Sequence, residues 1–187
     1  VLALSGGADS AAVLHLLTAL PRLRCVHVNH GLGDWAAQLQ QAAQNLARRY
    51  GRECHIVDIA TSAPASNIEA WARDQRYAAL AAVLRAGEVL ICAHHQADQA
   101  ETFLLAALRG SGPAGLRGML PLRPFAAGWL ARPALGFAAG RLRQIADEAG
   151  LAYVDDPSNS DTRLRRNALR ANVLPRLAEH VPGVITA

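Results

Sequence analysis

The chain has 187 residues, of which 51% are hydrophobic and 18% are charged, a composition typical of one globular domain with a full core rather than a disordered segment. No apolar run approaches the ~18 residues of a membrane span and no signal-peptide pattern is present, so no membrane partner is expected. The net charge of +4 fits an acidic ligand such as a nucleotide or RNA.

Short apolar runs alternate with helical patterns along the chain. The strand-like runs lie at residues 1–4, 25–28, 54–59 and 89–93, with a weaker one at 129–131. Helical patterns lie at residues 10–20, 35–50, 68–86 and 97–108. The alternation predicts an α/β fold: a doubly wound parallel five-stranded sheet with helices on both faces. Ligands in such sheets bind beyond the carboxyl ends of the strands, where the strand order reverses.

The last third of the chain is less regular. Residues 109–133 are rich in Gly and Pro, which predicts an active-site loop followed by an edge strand. A G-x-G-x-x-G match at residues 110–115 follows a helix rather than a strand, so it does not predict a dinucleotide site. An amphipathic helix over residues 138–150 ends at a glycine, and the tail is polar and then helical.

A glycine loop at residues 5–10 joins the first strand to the first helix. Backbone N–H groups and the N-terminus of a helix converge there, and such a junction binds anions. Asp9 would repel a phosphate unless a cation lay between them, so the loop predicts a polyphosphate bound with Mg²⁺, with Asp9 near the metal. The chain contains no lysine, which excludes a Walker A loop.

Two further segments carry candidate ligand contacts. Residues 27–33 close the second strand, and their glycines allow a tight backbone that could cradle a base, although an ordinary strand-exit turn has the same pattern. Arg73 and Arg76 share one face of the third helix, where either could neutralise a leaving pyrophosphate. The alternative for these arginines is surface ion pairing.

Acidic side chains follow the fourth strand. Asp98 and Glu101 are three residues apart, which places them on one helix face, and His94 and His95 come directly before that helix. Two carboxylates facing a phosphate loop suit Mg²⁺ capture or proton transfer. The alternative is that the acids favour the helix dipole and that the histidines are solvated.

The tail holds five arginines and no acid between residues 163 and 176. This pattern suits contact with an RNA backbone, and the alternative is a solvated helix face. The three cysteines are odd in number, widely spaced and without a C-x-x-C pair. They indicate buried thiols in a reducing cytosol rather than a zinc or iron–sulfur site.

Taken together, these segments resemble a known family. The loop at residues 5–10 resembles the SGGxDS loop of the N-type ATP pyrophosphatases, whose fold is called adenine nucleotide alpha-hydrolase-like. With the segments 27–33, 72–77, 94–102, 109–119 and 155–170, the chain is similar to the catalytic domain of the tRNA(Ile)-lysidine synthetase family. The resemblance implies a cytoplasmic ligase that joins L-lysine to C2 of the wobble cytidine of a tRNA(Ile) with a CAU anticodon. The reaction passes through an adenylated cytidine, and ATP yields AMP and pyrophosphate.

The resemblance also implies roles for individual residues. The cofactors are ATP and Mg²⁺, the latter near Asp9, and the substrates are tRNA(Ile) and L-lysine. The implied ATP-binding residues are Ser5, Gly6, Gly7, Ala8, Asp9, Ser10 and His30; the catalytic ones are Asp9, Arg73, Asp98, Glu101 and Arg166; the RNA-binding ones are Arg163, Arg165 and Arg170.

Domain organisation follows from the same resemblance. We expect a PP-loop ATP pyrophosphatase domain over residues 1–135 and a short helical extension with the arginine-rich helix over residues 136–187. Because Val1 already belongs to a predicted strand, we expect residues before it. Members of the family continue into C-terminal domains that bind tRNA. We expect these domains outside residues 1–187. A homodimer is a further expectation.

Three other functions compete with this interpretation. A tRNA 2-thiocytidine-type enzyme shares the loop, but its form of the loop resembles one that contains a Lys, and it has cysteine pairs for an iron–sulfur cluster. This chain has Ala8 at the loop position and no cysteine pair. A non-catalytic adenine-nucleotide-binding module would not need Asp98 and Glu101. GMP and NAD synthetases share the loop but not the motif at residues 27–33.

Overall fold

The computed structural model describes residues 1–31, 33, 35–60, 64, 66–181 and 183. Leu32 in the predicted strand-exit turn, and residues 182 and 184–187 of the predicted extension, lie outside the described residues.

Six strands form a single sheet in the order β3-β2-β1-β4-β6-β5. Every neighbouring pair is parallel except β5 and β6, which form an antiparallel pair at one edge. The strands are β1 (Leu2–Ala3), β2 (Cys25–Asn29), β3 (Cys54–Asp58), β4 (Val89–Ile91), β5 (Leu122–Phe125) and β6 (Gly128–Ala131).

Helices cover both faces of this sheet because successive strand residues point to opposite sides. On one face, Leu14 of the first helix packs with Leu46 and Leu142. On the other face, Leu80 packs with Leu90 and Leu130. The helices are α1 (Ala8–Leu16), α2 (Ala36–Arg49), α3 (Ile68–Val83), α4 (Gln96–Leu108), α5 (Pro113–Leu116), α6 (Ala139–Glu148), α7 (Arg165–Ala168) and α8 (Leu174–His180).

The predicted α/β class is confirmed, and the sheet differs from the prediction by one strand. The extra strand is β5, which pairs Leu122 with Ala131 and Phe125 with Gly128. Its sequence contains Pro124, which lacks an N–H donor, and proline in a sheet is confined to edges and bulges. The proline and the surrounding glycines hid this strand within a segment that the sequence marked as loop.

The predicted boundary at residue 135 does not divide the hydrophobic core. Leu142, Ala146 and Leu151, which follow that boundary, are buried in the same cluster as Leu2 and Leu14. Helix α6 therefore packs in the same helical layer as α1, on one face of the sheet. The part of the chain beyond it returns to the glycine loop, since the N–H of Val154 donates to the carbonyl of Gly6 at 3.0 Å.

The final helical segment is interrupted by a wide turn. A π-helical turn, Leu169–Val173, joins α7 to α8, and Pro175 lies in the first turn of α8. Proline offers no N–H to the carbonyl four residues earlier, and its ring crowds that carbonyl. A π turn relieves the crowding, and such turns are frequent at functional sites.

Strands β1 and β4 are neighbours in the sheet although they are distant in the chain. The chain leaves β1 into α1 and leaves β4 into α4, so this is the point at which the strand order reverses. The glycine loop and the start of α4 consequently open onto the same crevice, where ligands bind in doubly wound sheets.

Candidate active site

Two serine hydroxyls hold the glycine loop in a fixed shape. The Ser10 hydroxyl donates to the carbonyl of Gly7 at 3.0 Å and accepts from the N–H of Ser5 at 3.1 Å. The two hydroxyls lie 3.0 Å apart, and because the proton of Ser10 is engaged with Gly7, Ser5 is the donor between them. Ser10 is only 3% exposed, so its role is to shape the loop, whereas Ser5 is exposed to the crevice.

Gly6 has to be glycine for two independent reasons. Its φ of +89° lies in the region that L side chains avoid. A Cβ at this position would also approach the carbonyl oxygen of Leu39 in α2 to 2.3 Å. Gly7 follows as the residue before α1, so the first turn of that helix starts at the loop and directs its free N–H groups there.

Asp9 and Asp98 converge on one buried imidazole. The Nε2 atom of His95 lies 3.7 Å from Oδ2 of Asp9 and 3.6 Å from Oδ2 of Asp98. Asp98 also accepts from the backbone N–H of His95 at 2.9 Å, a contact that fixes the start of α4. His95 therefore connects the loop after β1 to the acidic helix after β4.

The acidic pair shares one face of α4, as its spacing predicted, and the structure turns that face inward. Glu101 is completely buried, and Asp98 has 14% of its side chain exposed. Burial raises the pKa of the Glu101 carboxyl, and the hydrogen bond from Arg170 opposes that rise. Partial burial likewise raises the pKa of Asp9, with His95 acting in the opposite direction.

Arg166 and Arg170 extend from the arginine-rich segment into this site. They are four residues apart and share one helix face. The Nε atom of Arg166 lies 3.3 Å from Oε1 of Glu69 on α3, and its guanidinium donates to the Thr102 hydroxyl at 3.4 Å. Arg170 contacts both members of the acidic pair, with Nε 2.6 Å from Oε1 of Glu101. The segment thereby ties α3 and α4 together.

Arg73 lies near the same site on α3. Its guanidinium stacks over the Tyr77 ring at 5.2 Å. Burial first, and then the charges of Arg132, Arg73 and Arg166, lower the pKa of His94 to about 4 against the opposing effect of Asp98. His94 is thus neutral at pH 7, and the three guanidinium groups that act on it are close enough to contribute positive charge on this side of the crevice.

His30 lies just beyond the carboxyl end of β2. The Nε of Arg76 donates to its Nε2 at 3.3 Å, and the Trp71 ring lies 6.5 Å away. Burial first, and Arg76 second, lower the pKa of His30 to about 4. A neutral imidazole with a neighbouring indole is a suitable surface for a nucleobase, and the assignment of His30 to ATP stays a prediction.

The three arginines predicted to bind RNA occupy two different environments. Arg163 is 90% exposed and pairs with Asp161 at 2.8 Å, and Arg165 is exposed as well. Arg170 instead points into the acidic pair. Arg163 lies in the turn before α7 and Arg165 is the first residue of that helix, whereas Arg170, with 41% of its side chain exposed, is held by the two carboxylates.

The residues present suit a magnesium ion held jointly with a polyphosphate. Within the described ranges, no group of three or more His, Cys, Asp or Glu side chains is placed to hold a metal ion alone. Asp9 has 42% of its side chain exposed at the loop. One carboxylate together with phosphate oxygens is a common way for proteins to bind Mg²⁺.

Sequence reasoning missed the contacts made by His95, Glu69 and Arg170. His95 and Asp98 are three residues apart at the start of α4, so their proximity was readable as a helix N-terminal pair. The four-residue spacing of Arg166 and Arg170 indicated a shared helix face, but it did not indicate whether that face points to solvent or to the rest of the protein. No local pattern linked Glu69 to Arg166, which are distant in the chain.

A PP-loop domain family profile matches residues 1–177 of the chain. Curated proteins with the name tRNA(Ile)-lysidine synthase are similar over almost the whole chain. The protein from Xanthomonas axonopodis pv. citri is 47% identical, with 100% of this chain and 44% of the relative covered. That from Alkalilimnicola ehrlichii is 43% identical, with 96% and 42% covered. The chain therefore spans less than half the length of these curated relatives.

Two solved structures share the fold. The U34-tRNA thiolase NcsA from Methanococcus maripaludis, solved with its [4Fe-4S] cluster, matches with a TM-score of 0.74 and 19% identity. The match covers 98% of this chain and 67% of the thiolase. The NH3-dependent NAD synthetase from Campylobacter jejuni matches with a TM-score of 0.52 and 17% identity, covering 98% of this chain and 79% of that one. At these identities the likeness concerns the fold alone.

Proposed function

Because this chain belongs to the PP-loop domain family, we propose that it supplies the ATP-cleaving site of a tRNA(Ile)-lysidine synthase. The enzyme joins the ε-amine of L-lysine to C2 of the wobble cytidine in a tRNA(Ile) with a CAU anticodon. ATP is consumed as AMP and pyrophosphate, and the reaction takes place in the cytoplasm. The observation that carries the proposal is that Asp9 and Asp98 both contact the His95 imidazole. These contacts place the glycine loop, the candidate phosphate site, beside the acidic pair of α4.

The first step is adenylation of the cytidine. The C2 oxygen attacks the α-phosphorus, the bond between the α-phosphorus and the bridging oxygen breaks, and pyrophosphate leaves. Negative charge develops on the phosphate oxygens, and the N–H groups at the start of α1 face the loop that holds them. Arg73 and Arg166 add positive charge beside the crevice. Mg²⁺ bound with the phosphates at Asp9 would neutralise further negative charge.

The second step replaces AMP with lysine. Adenylation converts the C2 oxygen into a good leaving group, and the lysine amine forms the new C2–N bond as the C2–O bond breaks. The amine attacks only after it has lost a proton, which requires an acceptor. Asp98 and Glu101 are the carboxylates on the inward face of α4, and we assign substrate ammonium binding and proton acceptance to this pair.

Exposed arginines extend the site toward RNA. Arg163 and Arg165 lie on the outer side of the segment whose inner side carries Arg166 and Arg170. Phosphate contacts from this outer side would bring an RNA strand to the crevice without reading its sequence. The homodimer stays a prediction. No helix in the described part of the chain is long and apolar enough to cross a membrane.

The cysteines favour lysine ligation over sulfur transfer. Cys25 and Cys54 pair in register at the amino ends of β2 and β3, on the edge opposite to the glycine loop. Cys92 is buried, and burial raises its pKa to about 11, so it is not a reactive thiolate at neutral pH. A thiolation site at this loop would need reactive thiols at the carboxyl edge of the sheet, where Cys92, which follows β4, is buried.

The test is the release of AMP and pyrophosphate from ATP with Mg²⁺ by the protein as encoded in full. L-Lysine and a CAU-anticodon tRNA(Ile) transcript are each present or omitted, and lysine incorporation into the tRNA is measured alongside. Turnover that needs both substrates is expected. Asp9→Asn should abolish it, whereas Arg22→Ala, on an exposed residue before β2, should leave it unchanged. Absence of pyrophosphate release with both substrates would refute the proposal.

A further inference from the structure

Arg170 enters the acidic pair from the π-helical turn. Its Nε lies 2.6 Å from Oε1 of Glu101, and a terminal nitrogen lies 3.1 Å from Oδ1 of Asp98. The two carboxylates come from α4, 69 and 72 residues earlier in the chain. The π-helical turn that precedes Pro175 therefore carries a permanent positive charge to the acidic pair, while 41% of the Arg170 side chain stays exposed.

Arg170 leaves part of Glu101 without a partner. Glu101 is completely buried, and within the described residues its Oε2 atom has no hydrogen-bond donor. A buried carboxylate oxygen without a donor is costly in free energy, and each such group in a native structure calls for an explanation. Both oxygens of Asp98 are engaged, one by Arg170 and the other by the N–H of His95. Oε2 of Glu101 is thus the one carboxylate oxygen of the pair without a donor among the described residues, and it is buried.

The charges of Asp98, Glu101 and Arg170 do not cancel. Two carboxylates and one guanidinium carry a net charge of about −1, which is the complement of a single alkylammonium group. Without Arg170, two carboxylates in a buried place would repel each other, and one would take up a proton. The guanidinium cannot act as a proton acceptor itself, since it stays charged in proteins.

We propose that Arg170 is a positioning residue, which holds Glu101 so that its Oε2 atom receives the ε-ammonium of the lysine substrate. This inference rests on the proposed function and adds the atom that recognises the amine. It assigns Arg170 to the amine step rather than to RNA contact. It also separates Arg170 from Arg166, which contacts Glu69 and Thr102 outside the acidic pair.

The experiment compares Arg170→Gln and Arg170→Lys with the parent, all in the protein as encoded in full. The KM for L-lysine is measured at saturating tRNA and ATP, and pyrophosphate release is measured in a single turnover without lysine. For R170Q we expect the KM for lysine to rise at least tenfold while the single-turnover release stays within twofold of the parent. R170K, which keeps the charge but loses the planar fork, should fall between them. Arg22→Ala is the charge-matched control on an exposed residue before β2.

A second measurement needs no turnover. Lysine binding is followed by calorimetry for the parent, R170Q, E101Q and the double variant, with melting curves to show that each is folded. If Arg170 acts through Glu101, R170Q will have little further effect once Glu101 is changed. An unchanged lysine affinity in R170Q, additive losses in the double variant, or an equal loss of pyrophosphate release would each overturn the inference. A parent that binds lysine but releases no pyrophosphate would refute the proposed function and leave this inference supported by the binding data.

Discussion

Replacing Gly6 with alanine should destabilise the protein strongly, whereas the same change at Gly7 should not. At Gly6 an alanine would adopt a φ of +89°, which costs about 1–2 kcal/mol for a residue with a Cβ. Its Cβ would lie 2.3 Å from the Leu39 carbonyl oxygen, so the backbone of α2 has to move, and such overpacking typically costs about 1–3 kcal/mol. Together the expected loss is about 2–5 kcal/mol, a large part of the ~5–15 kcal/mol that stabilises a domain.

The assay is urea unfolding of the parent, G6A and G7A. With an m value of about 2 kcal/mol/M, the loss at Gly6 moves the midpoint down by roughly 1–2.5 M. Gly7 is the matched control, because its φ is −88° and the atoms nearest to its Cβ position are Oγ of Ser5 at 3.5 Å and the Val154 carbonyl at 3.8 Å. G7A should stay within about 1 kcal/mol of the parent, since alanine is a poorer N-cap for α1 than glycine but meets no close contact. If G6A were as stable as G7A, the argument from close approach and positive φ would be wrong.

Three further changes test the electrostatics. Because the Arg24 guanidinium holds the pKa of Glu88 near 2, Glu88→Gln should lower stability at pH 7. Its deficit should shrink below pH 4.5, since the unfolded parent then binds a proton that the folded parent does not; urea midpoints across pH 7 to 3 check this, and a constant deficit would contradict it. His30 should titrate near pH 4 by NMR, so acidification from pH 6.5 toward 4 removes stability; a midpoint near 6.5 would show that burial and Arg76 do not act on it. Asp98→Asn should reduce lysine transfer about 10²-fold or more while ATP still binds, and near-normal turnover would exclude this carboxylate from the chemistry.

The sequence by itself determined the features that depend on near neighbours in the chain. The glycine loop between β1 and α1 was readable because backbone freedom at Gly6 and the start of a helix are local properties. The shared face of Asp98 and Glu101 followed from the period of the α-helix alone. The alternation of strands and helices likewise gave the α/β class, since side-chain periodicity reports which faces are buried.

The tertiary structure alone decided which of these local features meet. The pairing of β1 with β4 brings Asp9 to the imidazole that also contacts Asp98, and strand order depends on contacts across the whole sheet rather than on neighbouring residues. The contact of Arg170 with Glu101 could not be predicted from the sequence either. A row of arginines indicates a solvated surface unless a buried carboxylate is known to face it. The sixth strand was missed because β5 has a weak intrinsic preference and forms by pairing with β6. Long-range contacts of this kind are set by burial and charge balance summed over the domain, which no window of sequence contains.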